Sequence, residues 1–157
     1  KVVLFWQPPS YFSQWSSSSI VVDDVSYSCA EQYKMAEKAR HLKYHRAQLN
    51  SSCPPPTHAR TNASVVACAI FDSVVWDPEK QHAVLSGTCA KVPQNPAMKN
   101  HLFSTGTKRL AEVIPLDPGW GIGVRADAPP RASDLRKWRG SSLLGEALYA
   151  VREKIRE

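Results

Sequence analysis

A mainly α fold is what the sequence predicts: one compact domain, with a small β-hairpin or short strands near its N-terminus. Three observations lead there. Apolar residues recur at three- and four-residue spacing in five separate stretches. Residues that open helices, two Asx-Pro pairs among them, stand ahead of several of these stretches. β-branched runs are short and lie mostly at the start of the chain. The 157 residues suit a single domain with one core, and 43% hydrophobic with 22% charged residues is an ordinary globular composition. One domain over 1–157 is expected, and because the sequence opens at Lys1 without a methionine, either a trimmed start or excision from a longer protein is expected with it.

"KVVLFW" is β-like and meets a break at Pro8-Pro9, after which "SYFSQWSSSS" is an irregular aromatic loop. "IVVDDVSY" predicts a hairpin turning at Asp23-Asp24. The first long helix is expected over 29–48, with Ser28 as N-cap and Glu31 at the third helical position of a capping box. "NSSCPPP" at 50–56 is a loop, because three consecutive prolines cannot sit inside a helix. From Thr57, the residues Ala59, Ala63, Val66 and Ile70 return to helical spacing. Asp77-Pro78 opens a helix towards Lys91, and Asn95-Pro96 opens a shorter one through Ser104. "LAEVI" at 110–114 reads as a short strand or a helical turn. "LDPGWGIG" is a glycine-rich loop and "APPRASDL" an irregular piece. The last helix starts near Ser142, with Leu144, Leu148, Val151 and Ile155 as its stripe.

Several function classes drop out. No apolar run approaches the roughly 18–20 residues that span a bilayer, and no signal peptide precedes the first strand. The net charge of +6 points mildly to anionic partners, its basic residues being spread over 34–46, 91–109 and 125–139. The four cysteines, at 29, 53, 68 and 89, show no CxxC spacing and no histidine at a zinc-like interval. Cys29 and Cys68 lie in apolar company and read as small core residues, so a reduced, intracellular protein (cytoplasmic or nuclear) is expected. No cluster demands a metal and no cofactor is expected, so activity should survive chelation.

The unusual stretch is "SCAEQYKMAEKAR" at 28–40. Seven helical steps return to nearly the same direction about 10 Å further along, so Glu31, Met35, Lys38 and Leu42 share one face. Lys34, Glu37, Arg40 and His41 are expected on the other, solvated side. Glu31 has a structural reading, closing the capping box on the Ser28 amide. Lys38 has one too, its stem covering core while the ammonium reaches water. The chemical reading needs both. A partly desolvated lysine loses some preference for its charged form and becomes a better nucleophile towards carbonyl or imine carbon. A nearby carboxylate can shuttle protons for it. "GWGIG" at 119–123 lacks GxGxxG spacing, yet its glycines allow backbone approach to a ligand, with the Trp120 ring free to present a face. Phe5, Trp6, Tyr11, Phe12 and Trp15 are either core or a wall on which a base stacks.

Taken in order, these stretches resemble the NADAR family, the YbiA-like superfamily. The resemblance is carried by "FSQW" at 12–15, "CAEQYKMAEKA" at 29–39, "FDSVVWD" at 71–77 and "AKVPQNP" at 90–96. It continues through "TGTKRLAEVIPLDPGWGIG" at 105–123, "WRG" at 138–140 and "LLG" at 143–145. It implies a compact, mainly helical YbiA-like fold and N-glycoside hydrolysis. Two substrate classes come with it: guanine in nucleic acid bearing ADP-ribose on its exocyclic amine, and phosphorylated ribosylamino-pyrimidine intermediates of riboflavin synthesis. In both, the ribose anomeric carbon is bonded to an exocyclic amine, an aminal that opens to an imine. Lys38 would intercept that imine as a Schiff base, with Glu31 as acid/base.

By match to the family motifs, Phe12, Ser13, Trp15, Tyr33 and Trp120 would line the pocket. Asp117, Gly121 and Gly123 would shape the loop over the ribose, Gln94 and Asn95 would make polar contacts, and Lys91 would meet phosphate. Ser142 stands where the family pattern has asparagine, in "GSSLLG"; it can cap the helix and donate a hydrogen bond but lacks the amide's reach. Val92 replaces an aromatic residue, and 43–64 matches nothing well. Removal of ADP-ribose from guanine is the expected activity of a monomer whose partner is ADP-ribosylated nucleic acid or ADP-ribose itself. The pyrimidine hydrolase and a silent reader of ADP-ribose are the alternatives.

Overall fold

The computed structural model describes residues 1–42, 72–114, 117, 119–124 and 132–157. The helical spacing from Thr57, the proline loop and the end of the first helix lie outside the described residues. The chain divides into two compact units, one formed by Lys1–Ser13 with Pro96–Glu157 and the other by Gln14–Asn95.

In the unit formed by Gln14–Asn95, β2 (Ile20–Val22) and β3 (Val25–Tyr27) make the expected antiparallel hairpin, with Ile20 opposite Tyr27 and Val22 opposite Val25. Its turn needs positive φ at both central residues, a conformation aspartate tolerates; Asp23 stands at 49° and Asp24 at 63°. Two helices of this unit lie among the described residues, α1 (Ala30–His41) and α2 (Ser73–Gln94). Ile20, Tyr27, Tyr33 and Ala36 form a buried cluster here.

The expected start of α2 at Asp77-Pro78 is wrong. Asp72 caps it instead, its side chain accepting from the backbone N–H groups of Val74 (2.9 Å) and Val75 (3.4 Å). Asp77 sits inside the helix and pairs with Lys80 at 3.0 Å, and Pro78 is interior as well. Two aspartates offered the same cap chemistry, and the earlier one holds the orphan donors.

In the other unit, β1 (Val2–Phe5) pairs with β4 (Arg109–Glu112) in parallel, Val2 opposite Arg109 and Phe5 opposite Glu112. "LAEVI" is therefore a strand. α3 (Pro96–Ser104) starts at its expected proline, and α4 (Leu143–Arg156) buries Leu144, Leu148 and Val151, with Ile155 half-buried. Ala111, Val113, Ile122, Val124 and Ala132 form a core on which Val2, Leu4 and Trp138 pack. The described helices thus number four, against five expected over the whole chain.

α4 lies hard against β4 at one point. A Cβ on Gly145 would stand 2.1 Å from the Leu110 carbonyl oxygen, far inside contact distance, and that oxygen is backbone and cannot swing away. Gly145→Ala should cost about 2–3 kcal/mol or more of stability through overpacking, read from a lowered urea midpoint. A midpoint equal to wild type would mean that helix and strand can separate freely.

Candidate functional site

The first turn of α1 is held differently from the capping box the sequence suggests. Cys29, not Ser28, is the N-cap, and its side chain makes no cap bond. Glu31 is the second helical residue, and its backbone N–H, one of the orphan donors of the helix start, is taken by the Gln14 carbonyl at 3.0 Å. Gln32 does the reaching back: its Oε1 accepts from the Ser28 N–H (2.7 Å) and hydroxyl (3.0 Å). The structural duty assigned to Glu31 therefore belongs to Gln32.

The Glu31 carboxylate is left for another purpose. The residue is only 5% exposed, and its Oε2 lies 2.8 Å from Lys34 Nζ. Lys34 was expected on the solvated side, but three helical steps leave it about 60° from Glu31. Its side chain is largely buried, as is that of Glu37; Arg40 alone of the four is mainly exposed. Lys38, one turn further, is half-buried with its amine 5.9 Å from the centroid of the Trp76 ring. Burial pushes its ammonium below the ordinary lysine range and the neighbouring Lys34 charge adds to this, while Glu31 pulls the other way. The arrangement is a half-desolvated amine within the field of a buried carboxylate.

Tyr33 faces the core instead of a pocket. It meets Tyr27 edge-on at 5.3 Å, and its ring presses on α2 where a Cβ at Gly87 would come within 2.8 Å. Burial pushes its phenol up to about 12. Gln94 serves the hairpin, its side chain accepting from the Val21 N–H (2.8 Å) and donating to the Val21 carbonyl (2.9 Å), like a neighbouring strand. Asn95 donates to the Lys91 carbonyl at 2.8 Å, closing the end of α2. Trp15 is half-buried.

Lys91, expected to meet phosphate, lies in the core. It is wholly buried, and its amine bonds the Ser16 hydroxyl at 2.6 Å, so it is not offered to a phosphate from solvent. Burial pushes it down to about 7. Cys29 is buried too, and burial raises its thiol, which makes it an inert core group. Cys53 and Cys68 lie outside the described residues.

The remaining expected residues belong to the unit of Lys1–Ser13 and Pro96–Glu157. Phe12 and Ser13 are each 1% exposed; Phe12 packs against Phe5 at 5.5 Å and His101 at 4.8 Å, as core. Asp117 folds the glycine-rich loop, its Oδ1 accepting from the N–H groups of Gly119 and Trp120, both at 3.1 Å. Trp120 is half-buried above that turn. Gly121 lets the loop touch β4, since a Cβ there would come within 2.9 Å of the Glu112 carbonyl, and Gly123 has φ +64°. Ser142 is the positional N-cap of α4, with φ 48° and no side-chain cap bond. Its hydroxyl is buried without a hydrogen-bond partner, so the expected capping role is not met.

Three participants were missed. Lys34 had a signal, its i,i+3 spacing from Glu31. Trp76 and the Gln14 carbonyl reach α1 only through the fold, and no local pattern announces either. Among the described residues, no group of three or more His, Cys, Asp or Glu side chains is placed to hold a metal, and no helix is long and apolar enough to cross a membrane.

Lys91 has a measurable consequence. An unfolded chain keeps the lysine proton to about 10.5, the folded one releases it near 7, so the unfolded state binds more protons between them. Wild-type Tm should therefore rise as pH is raised from 7 towards 9, and Lys91→Met should flatten that rise. An unchanged slope in the variant would mean that Lys91 is not the titrating group.

Known proteins have similar sequences. An N-glycosidase, R617, of Acanthamoeba polyphaga mimivirus is 31% identical over 154 residues, covering 91% of this chain and 86% of that protein. Another protein named N-glycosidase, from Nostoc punctiforme, is 26% identical over 156 residues, covering 96% and 88%. The NMR structure of the E. coli protein YbiA superposes with a TM-score of 0.76 at 19% identity, covering 99% of this chain and 84% of that one, and so shares the fold. The sequence model of the NADAR domain matches residues 4–156, nearly the whole chain, which therefore belongs to the NADAR domain family.

Proposed function

We propose that the chain is an N-glycoside hydrolase that removes ADP-ribose from the exocyclic amino group of guanine in nucleic acid through a Schiff base on Lys38. The observation that carries the reading is Lys38 itself, half-buried, lowered in pKa and within the field of the buried Glu31. The relatives named N-glycosidases support the reaction class.

The substrate's anomeric carbon carries both the exocyclic nitrogen and the ring oxygen. Glu31, as acid, protonates the ring oxygen while the nitrogen lone pair expels it, leaving an open-chain protonated imine. The neutral Lys38 amine adds to the imine carbon. Its proton returns through the Glu31 carboxylate to the exocyclic nitrogen, which departs as the free amine of guanine. Water then adds to the protonated lysine imine, and its collapse releases the sugar aldehyde, restores the lysine amine and returns a proton to Glu31. One water is consumed, and one carbon–nitrogen bond is exchanged for carbon–oxygen. Lys34, at 2.8 Å, holds the second carboxylate oxygen, so that Glu31 is oriented throughout. An ordinary lysine would be almost fully protonated at neutral pH; the lowered value supplies more of the free amine that the addition needs.

The phosphorylated ribosylamino-pyrimidine shares the reacting bond, and a silent ADP-ribose reader would have no use for a desolvated amine. Both are separated from the first reading by assaying sugar release from an oligonucleotide ADP-ribosylated on guanine beside the pyrimidine phosphate. Borohydride during turnover should leave the sugar covalently attached to wild type and not to Lys38→Ala. Equal adduct on the variant would remove Lys38 as the nucleophile. Glu31→Gln should lower kcat by about 10²–10⁴ with little change in KM; unchanged turnover would return Glu31 to a structural role.

The pH profile gives an independent readout. Lys34 lowers the Lys38 pKa by charge repulsion, so Lys34→Met should raise it and carry the ascending limb of the rate profile to higher pH. A limb that stays in place would mean that the titrating group is not Lys38.

A further inference from the structure

A cavity of about 250 Å³ opens in the unit that contains β4 and α4, lined by Thr107, Arg109, Leu110, Gly145, Glu146 and Tyr149. It falls just under the roughly 300–1,000 Å³ of pockets that take a drug-sized ligand whole, which suits an occupant on the scale of one nucleobase. Arg109 and Glu146 stand side by side in the lining, Nη1 to Oε1 at 3.8 Å, too far for a hydrogen bond between them. Both side chains are more than half exposed, so the pair is weak and each partner is cheaply diverted to a ligand.

The two charges cancel. A phosphate drawn to Arg109 would be repelled by Glu146, whereas a neutral ligand that places acceptors beside donors meets no repulsion. Tyr149, three residues after Glu146, is its neighbour on the surface of α4. Arg152, outside the lining, backs the Tyr149 ring with its guanidinium carbon 4.9 Å from the ring centre. Arg152 is fully buried and Tyr149 41% exposed, so the open face of the ring is the one turned away from that guanidinium. An aromatic face held from behind and open in front is a surface on which a base stacks.

Among the bases, guanine fits a guanidinium beside a carboxylate best. Its O6 stands between N7 on one side and the N1–H and N2–H groups on the other. The forked guanidinium can donate to O6 and N7 together, and the two carboxylate oxygens can accept from N1–H and N2–H. Adenine and cytosine each bring a single exocyclic amine as donor on these edges, so neither fills both oxygens of Glu146 and both arms of Arg109.

We propose that this cavity is a guanine-reading subsite, with Arg109 and Glu146 holding the edges of the base and Tyr149 its face. Because the N1–H and N2–H edge is used, the base is unpaired. It belongs either to a free guanine nucleotide or to a single strand, as a guanine beside the reacting one; the second source rests on the proposed function. Neither Glu31 nor Lys38 takes part, so loss of sugar release and loss of guanine binding are separate results.

The test is a titration of 15N-labelled protein with GMP, AMP and CMP, which carry the same phosphate, following the backbone amides of Leu110, Glu146 and Tyr149. Saturable shifts are expected with GMP, at an affinity about tenfold above that of AMP or CMP. Arg109→Ala and Glu146→Gln should each weaken GMP about tenfold and bring it close to AMP. Both substitutions are at exposed side chains and leave the core untouched. A single-stranded TGT trinucleotide, with TAT as control, separates the sources: it binds at least as well as GMP if the site reads a strand, and fails where GMP binds if the site takes a free nucleotide. No saturable shift with GMP, equal affinity for the three nucleotides, or wild-type affinity in both variants overturns the proposal.

Discussion

The hydrogen bond from the Glu31 backbone N–H to the Gln14 carbonyl is the constraint on which the arrangement of α1 turns. It satisfies a donor that the helix start would otherwise leave orphaned, and it does so with main chain from outside the helix. With that donor taken, the helix starts at Ala30 and Gln32, rather than Glu31, comes to the position that reaches back to Ser28. A carboxylate spent on a cap would be held by its own backbone and lost to chemistry. Here a neutral amide holds the cap, and the carboxylate pairs with Lys34.

Much of the fold was legible because its signals are local. The hairpin at Asp23-Asp24, the helix opened by Asn95-Pro96 and the stripe of α4 each rest on residues within a few positions of one another. The sequence failed where two local signals competed. Asp72 and Asp77 both offer an N-cap, and what chose between them was which backbone donors the fold left needy. The parallel pairing of β1 with β4 joins the start of the chain to a stretch far along it, and no local spacing announces it. A strand or a helical turn remained equally open for "LAEVI" for that reason.

What the expected site residues touch within the protein was legible only in part, and for one reason. Glu31 and Lys38 stood out because charge on an apolar face conflicts with the pattern of a helix. Tyr33, Gln94 and Asn95 were assigned to a ligand because polar and aromatic groups in a motif suggest contacts; their contacts are with the protein. Tyr33 fills the space above Gly87, and Gln94 pairs with both main-chain groups of Val21. Residue type says that a hydrogen bond will be made, and only the fold says with whom.

Lys38 and Lys91 show how burial alone can divide two similar side chains between roles. Burial lowers the pKa of both, and Lys91 is lowered further, so proton loss by itself would favour Lys91 as the nucleophile. Yet an amine must also reach carbon. Lys91 is at 0% exposure with its nitrogen 2.6 Å from the Ser16 hydroxyl, and addition to a substrate would require breaking the core around it. Lys38 keeps part of its side chain in the open, with the Trp76 ring on one side and the Glu31 charge acting on its amine. Full burial gives a neutral amine that nothing can meet, while full exposure gives a charged one that does not attack. The intermediate depth of Lys38 satisfies both demands, and this argues for that lysine as the one to which the sugar is transferred.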